Sequence, residues 1–338
     1  MDLFTIIAPP KDLHPNFVRL LDEHSAADRE VISQWADGFK DRDGKFVREF
    51  QTSFNSGFWE LYLFACAKEL GFHVNLAFPS PDFVIDDFHN EFCIEAVIAS
   101  NADGEPAEWE KDVSTQPPPE EVLKTAVIRL SNAISSKYKK FLNSYQKLSH
   151  VVKRPFVLAV GPFEQPDFWA QNDHAIRMVL YTFDRKLPDG TYRFQNTVAK
   201  PSGSVIELGL FTDRRMSEVS AVIFSNTATL SKVHALNSDL DTPVGFSSLR
   251  FNHHGPEPFL WNAMKPEYRE SLLDGLYVFH NPHALFPLPP SYFDHSDISQ
   301  GTLLPGEKVP RYKCKHGHLI QRSSMTIRAK EETEGERS

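Results

Sequence analysis

The chain has few cysteines and no long hydrophobic run, and each shortage excludes a class of protein. Its 338 residues contain three cysteines, Cys66, Cys93 and Cys314, which are widely spaced and form no C-x-x-C pair. This odd, scattered set argues against a disulfide framework and favours a reducing compartment. The longest apolar runs fall well short of the ~20 residues that cross a bilayer, and the N-terminus lacks the basic and apolar regions of a secretory signal. We therefore expect a cytoplasmic protein with no membrane partner.

Several nucleotide and metal motifs are also missing. The sequence contains no Walker A motif, no G-x-G-x-x-G and no H-E-x-x-H, and it has no repeating period. What it does contain is a large apolar fraction, since 41% of the residues are hydrophobic and 27 are phenylalanine. Such a chain buries a sizeable core, which excludes disordered, collagen-like and coiled-coil proteins.

Acidic residues predominate, but they are unevenly distributed along the chain. The net charge is −9, which alone argues against a general nucleic-acid binder. Residues 1–150 contain 15 Lys and Arg against 24 Asp and Glu, whereas residues 151–338 contain 21 of each. Within the acidic half, segment 120–154 reverses the sign, with Lys124, Arg129, Lys137, Lys139, Lys140, Lys147, Lys153 and Arg154 against Glu120 and Glu121. This basic helix 120–154 is a candidate nucleic-acid interface, and a solvated helix face is the alternative.

The order of elements is clearest in the first half of the chain. Periodicity and breaker residues predict a helix over 58–70, strands over 72–78, 82–85 and 92–99, a helix over 120–148 and a strand over 154–161. Residues 101–119 are acidic and rich in proline, which predicts a loop. In the second half we predict a hairpin turn at 189–190, a strand over 220–224 and irregular structure over 250–300. The charged tail from residue 328 is expected to be disordered.

Three carboxylates lie in or beside apolar segments of this first half. Glu60 falls between Trp59 and Leu61 in the first helix, and Asp82 opens the second strand. Glu95 interrupts the third strand, whose two alternating faces are both largely apolar. A carboxylate in that setting needs a partner, a metal ion or an exposed strand face, because an unpaired buried charge costs several kcal/mol.

These residues together resemble the PD-(D/E)XK nuclease superfamily, which has the restriction-endonuclease-like fold. The likeness covers about residues 55–161 and depends on the order helix, three strands, helix, strand, and on Pro81-Asp82 followed after twelve residues by Glu95-Ala96-Val97. Glu60 matches the additional acidic residue that many members place on the first core helix. The resemblance implies that Asp82, Glu95 and the carbonyl of Ala96 are Mg²⁺ ligands. It also implies that the reaction is metal-assisted phosphodiester hydrolysis.

One residue departs from the superfamily pattern. The superfamily has a lysine two positions after the second acidic residue, but here that position is occupied by Val97. The chain therefore resembles a divergent member that lacks the motif lysine. Lys137 is the predicted replacement, because it falls inside the apolar stripe of the following helix, which comprises Leu123, Val127, Leu130, Ile134, Phe141 and Leu148. The resemblance places that helix against the strands of Asp82 and Glu95, and some members carry their lysine there. The alternatives are a lysine that snorkels at the groove edge, and Lys140 as the substitute.

The predicted fold class is therefore α/β, a restriction-endonuclease-like mixed sheet flanked by helices with a C-terminal α+β extension. The domains expected are an N-terminal helical extension (1–54), a nuclease-like core (55–165), the extension (166–325) and a disordered tail (326–338). The predicted function is a Mg²⁺-dependent nuclease with Glu60, Asp82, Glu95 and Lys137 as catalytic residues. The alternative is a catalytically degenerate nuclease-fold module that binds nucleic acid or a protein partner.

A second set of possible metal ligands lies near the C-terminus. Cys314, His316 and His318 are ligand types that zinc accepts, and they are closely spaced. No second ligand pair with suitable spacing follows them. Alternation along a strand also explains the pattern and is the alternative to zinc binding.

Overall fold

The computed structural model describes residues 1–87, 89–101, 110, 117–165 and 167–327. Most of the predicted acidic loop 101–119 lies outside these residues, and so does the charged tail from residue 328. None of the helices within the described ranges is both long and apolar enough to span a bilayer.

Seven α-helices are described, and the sequence accounts for the two longest. The helices are α1 Pro15–Leu20, α2 Ala26–Trp35, α3 Phe46–Thr52, α4 Phe54–Glu69, α5 Pro119–Lys140, α6 His174–Tyr181 and α7 Leu230–Leu236. Helix α4 is apolar on all sides and buries 12 of its 16 residues, as expected for a helix inside the core. Gly71 follows it at φ +75°, a left-handed conformation that favours glycine after a helix end. The predicted helix at 58–70 is thus confirmed, with α4 beginning four residues earlier. The helix predicted over 120–148 is confirmed as α5, which ends at Lys140 and continues as a π-helical turn to Tyr145.

A mixed eight-stranded sheet forms the centre of the protein. Its strands, in spatial order, are β1 Val74–Asn75, β2 Phe83–Asp86, β3 Glu91–Ile98, β4 Phe156–Gly161, β9 Ala221–Phe224, β12 Leu276–His280, β13 Ile298–Thr302 and β14 Arg311–Lys313. Strand β3 runs antiparallel to β2 and parallel to β4, and β4 runs parallel to β9. The α/β class and the mixed sheet flanked by helices are therefore confirmed.

Helices cover both faces of this sheet, which explains the near-continuous hydrophobic strands. Successive residues of β4 alternate between two core clusters, with Val157 and Ala159 in one and Leu158 and Val160 in the other. The first cluster contains the side chains of α1 to α4, and the second contains those of α5 and α6. Because both faces are buried, a strand such as β4 contains no polar side chain at all.

The second half of the chain differs from the sequence prediction. Residues 250–300 contain β11 Phe259–Met264, β12 and the start of β13 within otherwise irregular chain, so the expectation of irregular structure is wrong for these strands. Strand β13 is not predicted from the sequence because it buries polar residues, including Gln300. The Oε1 atom of Gln300 lies 2.8 Å from Nε2 of His280. Strands β9, β12, β13 and β14 continue the sheet of β1 to β4, so the predicted boundary at residue 165 crosses one continuous sheet.

Smaller sheets complete the second half. A three-stranded antiparallel sheet has the order β11, β10 Val244–Arg250, β15 Leu319–Thr326. Two hairpins pair β5 Phe183–Lys186 with β6 Tyr192–Phe194, and β7 Thr197–Ala199 with β8 Val205–Glu207. The first hairpin encloses residues 189–190, which confirms the predicted turn.

A buried ionic network joins the three-stranded sheet to the rest of the protein. Glu270 accepts contacts from Lys232 Nζ of α7 at 2.6 Å and from an Arg322 guanidinium nitrogen of β15 at 2.5 Å, and all three side chains are fully buried. Burial alone raises the pKa of Glu270, but Arg322 and Lys232 lower it to about 2. Next to them, Arg250 pairs with Asp274 at 2.8 Å. The charges are thus paired throughout, as buried ions require.

We predict that Glu270→Gln destabilises the protein by about 3–5 kcal/mol, because the substitution leaves two buried cations without their counter-ion. Urea unfolding measures the difference. The matched control is Asp294→Asn, which breaks an exposed pair with Lys313 and should change stability by no more than about 0.5 kcal/mol. Equal effects of the two substitutions would contradict the structural role of the network.

Candidate active site

Asp82 and Glu95 lie on the same face of the sheet, at neighbouring positions of β2 and β3. The register pairs Phe83 with Ile94, which sets Asp82, one residue before β2, opposite Glu95. Asp82 Oδ2 accepts a hydrogen bond from the backbone N–H of Ala96 at 2.7 Å. Because the N–H and C=O of a strand residue face the same neighbour, the carbonyl of Ala96 also faces the side of Asp82.

Three donors from the end of α5 and the turn after it converge on one oxygen of Glu95. Lys137 Nζ lies 2.7 Å from Glu95 Oε1, Lys140 Nζ lies 3.2 Å from it, and the hydroxyl of Tyr145 donates to it at 3.2 Å. Glu95 is 1% exposed, whereas the side chains of Lys137 and Lys140 are 25% and 50% exposed. The carboxylate is therefore buried and its charge is balanced from the solvent side.

A π-helical turn over Phe141–Tyr145 brings Tyr145 to this cluster. Its i→i+5 bonding is visible in the hydrogen bond from the N–H of Gln146 to the carbonyl of Phe141 at 3.0 Å. In an uninterrupted α-helix, Tyr145 would lie about 80° around the axis from Lys137. The wider turn rotates less per residue and reduces that offset. Local irregularity thus places the tyrosine beside Glu95.

Glu60 approaches the same group from α4. The neighbouring Trp59 anchors the helix to the sheet, because its indole N–H donates to the carbonyl of Ala159 in β4 at 3.1 Å. The pKa of Glu60 is raised to about 8, chiefly by burial and then by the nearby Asp82, against the opposing effects of Arg42 and Lys137. Glu60 is thus close enough to interact with the other three predicted residues, and it is protonated at neutral pH in the absence of another cation.

The pKa of Asp82 is also raised, to about 6. Burial is the main cause and the charge of Glu95 is the second, while Lys137 and the N–H of Ala96 act in the opposite direction. The segment before Asp82 is fixed by the Arg42 guanidinium, which donates to the carbonyl of Phe78 at 2.6 Å. Arg42 therefore both positions this segment and lowers the pKa values of the two carboxyl groups.

The structure brings together the four predicted catalytic side chains, Glu60, Asp82, Glu95 and Lys137. Lys137 faces the sheet, as the stripe in α5 predicts, and does not snorkel away from it. Three further residues belong to the cluster: Arg42, Lys140 and Tyr145. Of these, Lys140 is the residue that the sequence offers as the alternative to Lys137 in replacing the motif lysine. The sequence does not predict Arg42 and Tyr145 as site residues. Arg42 lies in a loop and Tyr145 in a π-helical turn, and neither has a recognisable periodic pattern.

The donor set is suited to a hard divalent cation. Glu95 Oε2 is buried and has no hydrogen-bond partner among the described residues, so it is an acceptor in need of a cation or a donor. No group of three His, Cys, Asp or Glu side chains with metal-binding geometry occurs in the described ranges. Mg²⁺ needs only one or two carboxylates, because it keeps several water ligands. Asp82, Glu95 and the carbonyl of Ala96 therefore fit such an ion.

The residues considered for zinc make separate contacts. The thiol of Cys314 donates to the carbonyl of Lys315 at 3.4 Å, and His316 Nδ1 accepts from the N–H of His253 at 3.2 Å. His318 is buried, and its Nδ1 donates to the carbonyl of Asp297 at 3.1 Å. The three side chains thus do not form a common ligand set.

The raised pKa values predict that stability falls as pH rises. Between the ordinary value of 4.5 and the folded value of about 8 for Glu60, the folded protein binds more protons than the unfolded chain, so the free energy of unfolding decreases with pH. Asp82 contributes in the same sense between 3.8 and about 6. With divalent ions chelated, Glu60→Gln should raise the melting temperature at pH 8 by a few degrees and should flatten its pH dependence.

Thermal unfolding from pH 5 to 9 provides the measurement. Glu69→Gln is the matched control, because Glu69 lies on the same helix and is exposed. If wild type and Glu60→Gln lose stability with pH to the same extent, Glu60 does not have the buried, repelled carboxyl described above.

Comparison with known proteins leaves this site to be interpreted from its own geometry. No family model, no curated protein and no solved structure matches the chain. The likeness to the PD-(D/E)XK superfamily therefore stays a prediction, which depends on the residues and on their arrangement.

Proposed function

We propose that the protein is a metal-dependent nuclease that hydrolyses phosphodiester bonds. The observation that carries the proposal is the contact of Lys137 Nζ with Glu95 Oε1 at 2.7 Å, beside Asp82. A lysine that the sequence predicts to replace the missing motif lysine thus touches a predicted metal-binding carboxylate. Val97 stands at the motif position and points to the same face of β3 as Glu95.

The arrangement of elements around the site supports a restriction-endonuclease-like fold. Along the chain, α4, β1, β2, β3, α5 and β4 follow one another in the order helix, three strands, helix, strand. The strands pair as one antiparallel meander followed by the parallel pair of β3 and β4. Asp82 precedes the second strand and Glu95 lies in the third, as in the superfamily that the sequence resembles.

Each side chain then has a distinct role. Asp82, Glu95 and the carbonyl of Ala96 would hold a Mg²⁺ ion, which when bound polarises a phosphoryl oxygen and lowers the pKa of a water ligand. The ammonium of Lys137 orients the attacking water and stabilises the charge that develops on the phosphate. Glu60, whose pKa is raised to about 8 without a bound cation, lies beside these groups and is a candidate proton donor or acceptor.

A second candidate function is a module that binds nucleic acid or protein without catalysis. Lys137 and Lys140 both contact Glu95 Oε1, so two ammonium groups already neutralise this carboxylate without a metal ion. A fold that has lost its nuclease activity would keep such a pair for stability. Metal binding and turnover distinguish the two functions.

We predict that Asp82→Asn, Glu95→Gln and Lys137→Met each lower Mg²⁺-dependent cleavage by about a hundredfold or more. The two carboxyl variants should also lose the rise in melting temperature that Mg²⁺ gives to the wild type. Lys137→Met should keep or strengthen that rise, because it removes a cation from the site. Arginine at position 137 should not restore activity, since its guanidinium differs in shape and is always charged.

The measurements are a cleavage assay with Mg²⁺ or a chelator and a thermal titration with Mg²⁺. Lys139→Met is the matched control, because Lys139 is an exposed lysine on the same helix. Cleavage by the Asp82 or Glu95 variant at the wild-type rate would refute the enzyme proposal. An absence of both cleavage and any Mg²⁺ effect in the wild type would favour the binding module.

A further inference from the structure

A cleft of about 540 Å³ opens beside the cluster of Asp82 and Glu95, and Ala96, Val97 and Lys137 are among its lining residues. It lies where the parallel strands β3 and β4 end, since Ser100 and Asn101 follow β3 and Glu164 follows β4. Ligands commonly bind at the carboxyl ends of parallel strands. The volume is in the range of sites that hold small molecules or one segment of a polymer.

One face of α5 forms a wall of this cleft. The helix residues that line it are Arg129, Asn132, Ala133, Ser136 and Lys137, at spacings of three, four, seven and eight residues. These spacings describe a single helical face. The same face thus carries Lys137 at Glu95 and, about 12 Å along the axis, Arg129.

Arg129 has a polar atom that the folded chain leaves unsatisfied. Its Nε is buried and has no hydrogen-bond partner among the described residues, and no ion pair of its guanidinium is found within them. Keeping a guanidinium N–H out of water without an acceptor costs free energy. Arg129 as a whole is only partly buried and lines the cleft, and its terminal guanidinium nitrogens are not among the buried, unpartnered atoms of the described residues. A ligand with anionic oxygen atoms in the cleft would pair with this end of the guanidinium, and phosphate fits the planar fork of arginine.

We infer that Arg129 binds a non-scissile phosphate of a nucleic-acid strand that follows the cleft to the pair Asp82 and Glu95. The identity of the strand as a substrate rests on the proposed nuclease function, whereas the phosphate contact itself does not. Successive phosphates of a strand are spaced by about 3.4 Å along a duplex axis. A strand whose scissile phosphate lies at Glu95 therefore passes Arg129 within about three to four nucleotides.

The charges that face the cleft are compatible with this occupant. Arg129 and Lys137 are its basic side chains, and Glu164 is the acidic side chain among the described lining residues. Burial raises the pKa of Glu164, and a hydrogen bond with Ser100 partly opposes that rise. The hydroxyl and amide groups of Ser136 and Asn132 add neutral donors to the face of α5.

The test measures binding with divalent ions chelated, so that no cleavage occurs during the measurement. Fluorescence anisotropy of a labelled single-stranded DNA of mixed sequence is recorded over a salt titration for the full chain. We expect Arg129→Gln to weaken binding by about tenfold to a hundredfold and to reduce the salt slope by about 0.7, the value for one phosphate contact on a single strand. An RNA of the same sequence should show the same fractional loss.

Two further variants control for charge and folding. Lys139→Gln removes one positive charge from an exposed position of the same helix and should bind almost as the wild type does. Arg129→Lys keeps the charge but lacks the planar guanidinium fork, so it should bind between the wild type and Arg129→Gln. Melting temperatures identify any variant that fails to fold, in which case the Arg129→Lys comparison decides.

The outcomes separate this inference from the proposed function. If the wild type cleaves DNA and Arg129→Gln raises KM far more than it lowers kcat, the nuclease function and the phosphate contact of Arg129 are both supported. If the wild type does not cleave but Arg129→Gln still loses affinity relative to Lys139→Gln, the phosphate site stands without the nuclease. If Arg129→Gln and Lys139→Gln have the same affinity and salt slope, the inference is overturned, whether or not the protein cleaves.

Discussion

The burial of one carboxylate, Glu95, in a central strand of the sheet is the constraint on which the site depends. Helices cover both faces of β3, so Glu95 has no exposed strand face on which to keep its charge. A buried ionised group of this kind must be paired. The pairing comes from α5 and its terminal π-helical turn, which place Lys137, Lys140 and the hydroxyl of Tyr145 at one oxygen. Its other oxygen is buried and has no hydrogen-bond partner in the described part of the chain.

The pKa values of the carboxyl groups near Glu95 are raised, whereas the pKa of Glu270 in the second buried network is lowered. The local balance of charge contributes to this difference. Lys137 and Lys140 balance Glu95, but Asp82 and Glu60 add two further carboxyl groups to a confined volume. Burial is the main cause of the raised pKa values of Asp82 and Glu60, and repulsion between the neighbouring carboxylates adds to it. A divalent cation bound at these carboxylates would offset the excess of negative charge. The buried network around Glu270 has no such excess of acid, since two cations hold one carboxylate ionised.

Sequence reasoning recovers those parts of the site and fold that depend on regular periodicity. The stripe in α5 places Lys137 on the core-facing side of its helix, the resemblance to the PD-(D/E)XK superfamily places that helix against the strand of Glu95, and the structure brings the two side chains into contact. Tyr145 is not predictable in this way, because a π-helical turn changes the period locally. The strands after residue 250 are missed for a related reason. β12 is a short run buried on both faces, and β13 buries polar residues, so neither alternates between polar and apolar positions.

The position of the lysine on a helix has a consequence for the cleft as a whole. A lysine at position 97 would be fixed to the same strand as Glu95, whereas Lys137 depends on how α5 packs against the sheet. That packing is set by buried residues of α5 such as Leu130 and Ile134, which contact the sheet between Arg129 and Lys137. The cation at Glu95 and the arginine proposed to bind phosphate are therefore held by one rigid element. A substitution that shifts α5 displaces both together, so the spacing between them is preserved while their distance from the carboxylates changes.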